Sequence, residues 1–366
     1  MATRGVKVLK GDEKKEKRED MWLAQIGQRE NHRYASDNSE SSLLIHQLGR
    51  DILINCLLRC SRSYYGIIAT LNTGFHSLIR SGELYKLRRQ MGIVDHWAYE
   101  CFMYSDKESL AVGTQLLGFG KEIMYPIVYK YSILTHTWTT EMRMHTPRCL
   151  FASASLGEIG IIAGGCDLRG NILSSAELYN SETGRWETIP RMNKARRMCS
   201  AVFMEGKFYV IGGIGVESLK TITSVEVYDL KTKTWIEIPN MYPARNEEAG
   251  LTEEPLTAEA PPLVAVVNDV LYVADHVLKQ VKKYDNEKNL WVTVGPFPER
   301  TTSMNGWGIA FRACGDQLMI IGGPRVLGAG FVEINSWVPK EGPLEWNLVA
   351  RKPSSSFVYN CAVMGC

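Results

Sequence analysis

Metal binding or nucleophilic catalysis needs histidines, cysteines or carboxylates that the chain returns to one place. The seven histidines are His32, His46, His76, His96, His136, His145 and His276. Three precede residue 80 and the others share no repeated position, so no ligand set for copper, iron or zinc is written here. Nine cysteines are scattered with no Cys-x-x-Cys, which reads as free thiols in a reducing compartment. No Gly-x-Ser-x-Gly elbow for a serine hydrolase occurs. Gly212-Gly213-Ile214-Gly215 has no helix behind it, so it is no phosphate loop. These absences predict a protein that is not an enzyme and takes no cofactor.

One polar residue does recur. An arginine stands ahead of an apolar segment at Arg148, Arg196, Arg245, Arg300 and Arg351. Two readings fit. A ring of guanidiniums could grip an acidic segment of a partner, with Arg148, Arg196 and Arg300 as substrate contacts. Alternatively, each could bond the carbonyls of neighbouring strands. Trp307, in Asn305-Gly306-Trp307-Gly308, lies outside every repeat and is a further candidate contact.

The elements that must position these residues repeat at about fifty residues. An apolar strand ends in a diglycine at Gly164-Gly165, Gly212-Gly213 and Gly322-Gly323, with a degenerate copy at Leu271-Tyr272-Val273-Ala274-Asp275. A tyrosine precedes a tryptophan by seven residues at Tyr131/Trp138, Tyr179/Trp186, Tyr228/Trp235 and Tyr284/Trp291, and Trp337/Trp346 is a fifth, wider pair. A further strand precedes each diglycine, and residues 357–364 repeat it at the C-terminus. A four-stranded unit cannot bury both its faces alone, so stacking units radially is the solution that one shared period points to. Glycine allows a sharp strand exit, and the aromatics fill the wedges between units. The acidic insert at residues 246–262 stretches one period and reads as a solvated loop.

Residues 43–92 are different in texture. Leu53, Leu57, Cys60, Ile67, Leu71, Phe75 and Leu78 recur at three- and four-residue steps, which predicts helices. Residues 1–42 are polar, with mixed charges around Lys14 to Arg18, and read as a disordered tail. The division expected is therefore a tail at 1–42, a helical domain at 43–92 and the repeats at 93–366. Net charge is +2, which gives no electrostatic case for nucleic acid. No apolar run reaches the roughly 20 residues that span a bilayer, so no membrane partner is expected.

The diglycine, tyrosine and tryptophan markers resemble Kelch repeats over residues 95–366. Residues 46–90 resemble an F-box, with Leu48, Ile52, Leu57, Arg59, Leu71, Phe75, Leu78 and Ile79 at its apolar and adaptor-binding positions; Gly49 stands where most copies carry proline. The order F-box then Kelch is similar to plant F-box/Kelch-repeat proteins. That resemblance implies an all-β propeller behind a small helical F-box. It also implies a substrate receptor of a Skp–cullin–F-box ubiquitin ligase, with a Skp-type adaptor, a cullin reached through it, and a captured target protein as partners. The alternative it leaves is a Kelch interaction scaffold outside a ligase. Either is expected in the nucleus or the cytoplasm. The period implies six blades, of which one lacks its outer two strands and is closed by residues 357–364 pairing with residues near 96–99.

The absence of a gathered ligand set gives a first expected outcome. Full-length protein purified without chelator should carry well under one equivalent of zinc, copper or iron by elemental analysis. A stoichiometric metal would overturn the non-enzymatic reading.

Overall fold

A computed structural model of the chain describes residues 7–9, 49–93, 96–102, 108–122, 125–142, 144–216, 221–242, 260–326, 329–340, 342–354 and 358–365. Leu48, Arg245 and most of the acidic insert lie outside the described residues. The chain divides into two compact units. One holds residues 1–97 with Ile133–His136 and Gly365–Cys366; the other holds Ala98–Ser132 and Thr137–Met364.

The larger unit is a β-propeller. Five antiparallel sheets have four main strands each, joined in sequence order. Blade 1 is Glu108–Val112, Gln115–Glu122, Tyr125–Ser132 and Thr137–Met142. Blade 2 is Ala152–Leu156, Ile159–Ala163, Ala176–Asn180 and Arg185–Ile189. Blade 3 is Ser200–Met204, Lys207–Ile211, Val225–Asp229 and Thr234–Ile238. Blade 4 is Val264–Val267, Val270–Asp275, Gln280–Asp285 and Leu290–Pro296, and blade 5 is Ala310–Cys314, Gln317–Gly322, Ala329–Trp337 and Asn347–Pro353.

The apolar clusters show why the blades stack. Each draws on two adjacent blades rather than one. Leu110, Val112, Leu117 and Phe119 of blade 1 pack on Phe151, Ile162, Tyr179 and Trp186 of blade 2. Ala152, Ile161 and Ala163 of blade 2 pack on Phe208, Val210 and Tyr228 of blade 3. The same wedge is built between blades 3 and 4 and between blades 4 and 5. First strands of successive blades lie side by side, which sets the axis of the propeller.

The tyrosine–tryptophan spacing is a register. Tyr131 faces Trp138, Tyr179 faces Trp186, Tyr228 faces Trp235 and Tyr284 faces Trp291 directly across the third and fourth strands. Ring centroids in the first three pairs are 5.1 Å apart, a cross-strand aromatic contact. The wider Trp337/Trp346 pair is the same contact at 6.4 Å.

The diglycines mark where the second strand ends. Gly165 has φ +88° and Gly213 φ +96°, a conformation that side chains disfavour. Gly323 of blade 5 is required for a different reason. A Cβ there would overlap the carbonyl oxygen of Phe331 on the neighbouring strand.

The blades number five rather than the six the period implied, and a further three-stranded sheet takes in the terminal strand. The terminal strand Val358–Gly365 lies beside His96–Phe102, as the repeat pattern predicted. The third strand of that sheet is Lys7–Leu9, from the segment read as a tail. Arg312, on the first strand of blade 5, donates from Nε to the Cys361 carbonyl at 3.0 Å and so ties blade 5 to the terminal strand.

Closure by a strand from the far end of the chain makes the whole ring depend on it. Removing residues 358–366 should abolish the single cooperative unfolding transition. The calorimetric enthalpy should then no longer equal the van't Hoff enthalpy. A truncated chain that still melts in one transition at the full-length temperature would show that closure is dispensable.

Candidate functional site

Two surfaces can act, one on each unit. The helical unit contains α1 (Arg50–Arg59), α2 (Tyr65–Ala69), α3 (Thr73–Arg80) and α4 (Glu83–Gln90). Gly49, at φ +72°, begins α1 without a side-chain cap, and Asn72 caps α3 by accepting from the Phe75 amide at 2.8 Å. The end of α1 is closed from a distance. Arg88 is buried, and its Nη1 donates to the carbonyls of Leu58 and Cys60 at 2.8 Å each. The Tyr65 hydroxyl donates to the Leu57 carbonyl at 2.9 Å. These satisfy carbonyls that a helix terminus leaves open. Nothing in the sequence pattern singled out Arg88 or Tyr65.

This core sorts the expected adaptor contacts. Leu57 and Ile79 are buried within the helical unit, and Phe75 and Leu78 are half-buried. Leu57 and Ile79 are therefore core residues, a correction to their reading as surface contacts. Ile52, at 59% exposure, and Leu71, at 66%, face solvent, as does Arg59. Tyr64 and Ile67 are exposed as well. In the runs Tyr64-Tyr65 and Ile67-Ile68, Tyr65 turns inward and Ile68 is half-buried while Tyr64 and Ile67 stay in solvent, and the sequence pattern had not marked that exposure.

On the propeller, the axial mouth is lined where the first strands begin. Glu108, Phe151, Ser153, Ser200, Pro262, Trp307 and Arg312 surround about 620 Å³ of space, open solvent included. Trp307 belongs to a two-residue hairpin. Met304 and Trp307 exchange both backbone hydrogen bonds at 2.9 Å around Asn305 and Gly306, which have φ +51° and +85°. The Asn305 carbonyl accepts from the Ala260 amide at 2.9 Å, which fixes the turn against the lead-in to blade 4. Met304 is exposed and Trp307 is half-buried in the wall. Cys199 also borders the mouth, but burial pushes its thiol up to about 12, so it stays protonated and is no nucleophile. Among the described residues, no three of His, Cys, Asp and Glu gather as metal ligands, and no helix is long and apolar enough to cross a membrane.

The arginines are placed otherwise than a gripping ring requires. The side chains of Arg148 and Arg196 are 0% exposed. Arg148 Nη2 meets Glu177 at 2.7 Å, and its Nη1 donates to the Gly164 and Ser175 carbonyls at 3.1 and 2.7 Å. Arg196 repeats this with Glu226 at 2.8 Å and the Gly212 and Ser224 carbonyls at 3.2 and 2.9 Å. Each glutamate accepts two further backbone amides, His145 and Thr146 for Glu177, and Asn193 and Lys194 for Glu226. Burial pulls the Arg148 pKa down, and the Glu177 carboxylate opposes it. Both arginines are thus braces inside one blade, and the reading of them as substrate contacts is corrected. Arg300 is exposed, 3.8 Å from Glu333, and Glu333 also accepts from Arg351 Nε at 2.7 Å.

The tryptophans carry more than packing. Trp235 Nε1 donates to the Pro190 carbonyl at 2.7 Å, Trp291 to Met241 at 2.8 Å and Trp346 to Pro296 at 2.9 Å. Each bond runs to the exit of the preceding blade's fourth strand, so an indole staples neighbouring blades.

Comparison with known proteins agrees with this anatomy. The Kelch motif family model matches residues 147–193 and 195–242, which are blades 2 and 3, the two with the buried Arg–Glu brace. The F-box/kelch-repeat protein At1g74510 of Arabidopsis thaliana is 56% identical over 361 residues, covering 89% of this chain and 80% of the relative. The F-box/kelch-repeat protein SKIP11 of the same plant is 56% identical, covering 90% and 77%. A third, F-box/kelch-repeat protein At1g26930, is 52% identical, covering 90% and 85%.

The brace has a measurable consequence. Glu226→Ala leaves a guanidinium buried without its carboxylate, and should cost about 3–5 kcal/mol of propeller stability in urea unfolding. Replacing both partners, Arg196→Met with Glu226→Leu, should recover most of that loss. Glu226→Ala with an unchanged midpoint would return Arg196 to the pool of free contacts.

Proposed function

The chain belongs to the F-box/kelch-repeat protein family, and from that premise we propose that it is the substrate-recognition subunit of a Skp–cullin–F-box ubiquitin ligase. The helical unit docks on a Skp-type adaptor, which links it to the cullin. The propeller holds a target protein at its loop face for ubiquitylation, in the nucleus or the cytoplasm. The receptor performs no bond chemistry; it supplies proximity and orientation.

The observation that carries this reading is the separation of core from contact in the helices. Leu53, Ile54, Leu57 and Leu58 fill the core of the unit, while Ile52, Tyr64, Ile67 and Leu71 leave large apolar side chains in solvent. A small unit has no use for that exposure unless a partner covers it. On the propeller, Trp307 and the Asn305-Gly306 turn offer a rigid aromatic anchor beside Glu108 and Arg312, a mixture suited to a peptide segment of a target. Arg300 contributes an exposed charge, paired with Glu333.

Co-purification with the adaptor tests the ligase role. Ile52→Asp with Leu71→Asp should lower adaptor recovery at least tenfold and leave the melting temperature unchanged, because carboxylates are then desolvated only in the complex. Leu57→Asp should instead melt the helical unit. Undiminished recovery with the double variant would sink the docking assignment. A native chain that never recovers an adaptor would favour a Kelch scaffold outside a ligase.

A further inference from the structure

Cys149 and Cys166 face one another across a short ladder at the entrance to blade 2. The Cys149 amide donates to the Cys166 carbonyl at 3.0 Å, and the Cys166 amide donates back to the Cys149 carbonyl at 2.8 Å. Neither is in a disulfide; Cys149 is half-buried and Cys166 buried. A reciprocally bonded antiparallel pair places its Cα atoms about 5.5 Å apart with both side chains on one face. That separation falls inside the roughly 4.4–6.8 Å range of disulfides. A hydrogen-bonded pair sits at the far end of the roughly 4.5–5.5 Å spread of opposed Cβ atoms, so bonding asks them to approach by about 1–2 Å.

The neighbours hold the pair in place. The Gly165 amide, next to Cys166, donates to the Arg196 carbonyl at 2.8 Å. Arg197 Nη1 lies 4.0 Å from the Cys166 sulfur, and Arg197 Nε is buried with no hydrogen-bond partner among the described residues.

We infer that Cys149 and Cys166 form a reversible redox pair, oxidised by a hydroperoxide such as hydrogen peroxide. Cys149, the more accessible thiol, attacks one peroxide oxygen. A sulfur–oxygen bond forms, the oxygen–oxygen bond breaks and one water leaves, giving a sulfenic acid. The Cys166 sulfur then attacks the Cys149 sulfur, and its thiol proton goes to the departing oxygen. The disulfide forms, the sulfur–oxygen bond breaks and a second water leaves. Two thiols and one peroxide thus give one disulfide and two waters. A bond made under strain in a fixed ladder is readily reduced again, which suits a switch rather than a permanent staple. It would fasten the lead-in of blade 2 to the start of the loop at residues 166–175, close to Phe151 of the axial mouth.

Peptide mapping tests this without reference to any partner. Trypsin releases both cysteines on one peptide, residues 149–169. Reduced full-length protein is exposed to hydrogen peroxide, alkylated under denaturing conditions and digested. Most of that peptide should escape alkylation and weigh two hydrogens less. Dithiothreitol should restore two alkylation sites, and in Cys149→Ser the Cys166 thiol should remain alkylatable after peroxide. Full alkylation of the peptide after peroxide would overturn the inference, as would sulfinic acid on Cys149 without the disulfide. Equal yields of bonds to Cys199 or Cys314 would mark scrambling in unfolded chains and would overturn it too.

Discussion

Among the described residues, no blade of this propeller has a core of its own. Its apolar side chains reach the buried state only when the next blade supplies the other half of the wedge, as Phe119 does with Phe151 and Trp186. The ring constraint follows. Between blades 1 and 5 the wedges propagate from neighbour to neighbour, but the two ends would remain open without the sheet that joins Val358–Gly365 to His96–Phe102. Closure removes edges that would otherwise pair with other chains. It is also why residues 264 positions apart in sequence, Ala98 and Ala362, belong to strands of one sheet.

Within that ring, a polar brace is used where the repeat is intact and replaced where it is not. Arg148–Glu177 and Arg196–Glu226 tie the lead-in of a blade to its third strand. A buried pair of this kind adds little net stability over an apolar filling, but once present neither partner can be lost alone. Blade 4 departs from it as a set. Lys282 stands two residues before Tyr284, where Glu226 stands before Tyr228, and Asp275 ends the second strand where a diglycine is expected. Lys282 and Asp275 meet at 2.8 Å. Blade 5 keeps a carboxylate, Glu333, and serves it from its fourth strand through Arg351. In blades 2 to 5 a carboxylate on or beside the inner strands keeps a cationic partner while the residues that supply the pair change.

The sequence made the propeller legible because its signals are geometric consequences of pairing. A tyrosine and a tryptophan seven apart are opposed residues across a tight turn, and four such pairs fall in that register. Closure was legible for the same reason, since residues 357–364 copy a first strand that has no partner after it. The burial of Arg148 and Arg196 was not legible. Recurrence of a charged residue is equally compatible with a surface ring and an internal brace, and only the position of Glu177 and Glu226 on the third strand separates them. Helix faces were read for spacing but not for depth. Ile52 and Leu57 both suit an apolar stripe, and the packing of Tyr65, Leu84 and Arg88 decides that Leu57 turns inward while Ile52 remains in solvent. The strand at Lys7–Leu9 carries no signal in a polar, mixed-charge segment; its pairing is supplied by the sheet it joins.

The mouth shows how a departure from the repeat becomes a distinctive surface. Gly322 follows Gly212 by 110 residues, and at the same offset Gly306 takes the place of Arg196 and Trp307 that of Arg197. An arginine at position 306 would need a carboxylate on the third strand, and the register there offers Asn335. With glycine instead, the backbone is free to adopt φ +85° and close a tight turn with Asn305. A Cβ at Gly306 would approach Ala260 to 3.0 Å, so the turn also packs closely against the lead-in of blade 4. The brace is lost from blade 5 in its repeated form, and a rigid turn presenting Met304 and Trp307 stands in its position. Conformity to the repeat builds the scaffold, and the lead-in of blade 5, released from it, carries the aromatic residue that lines the opening.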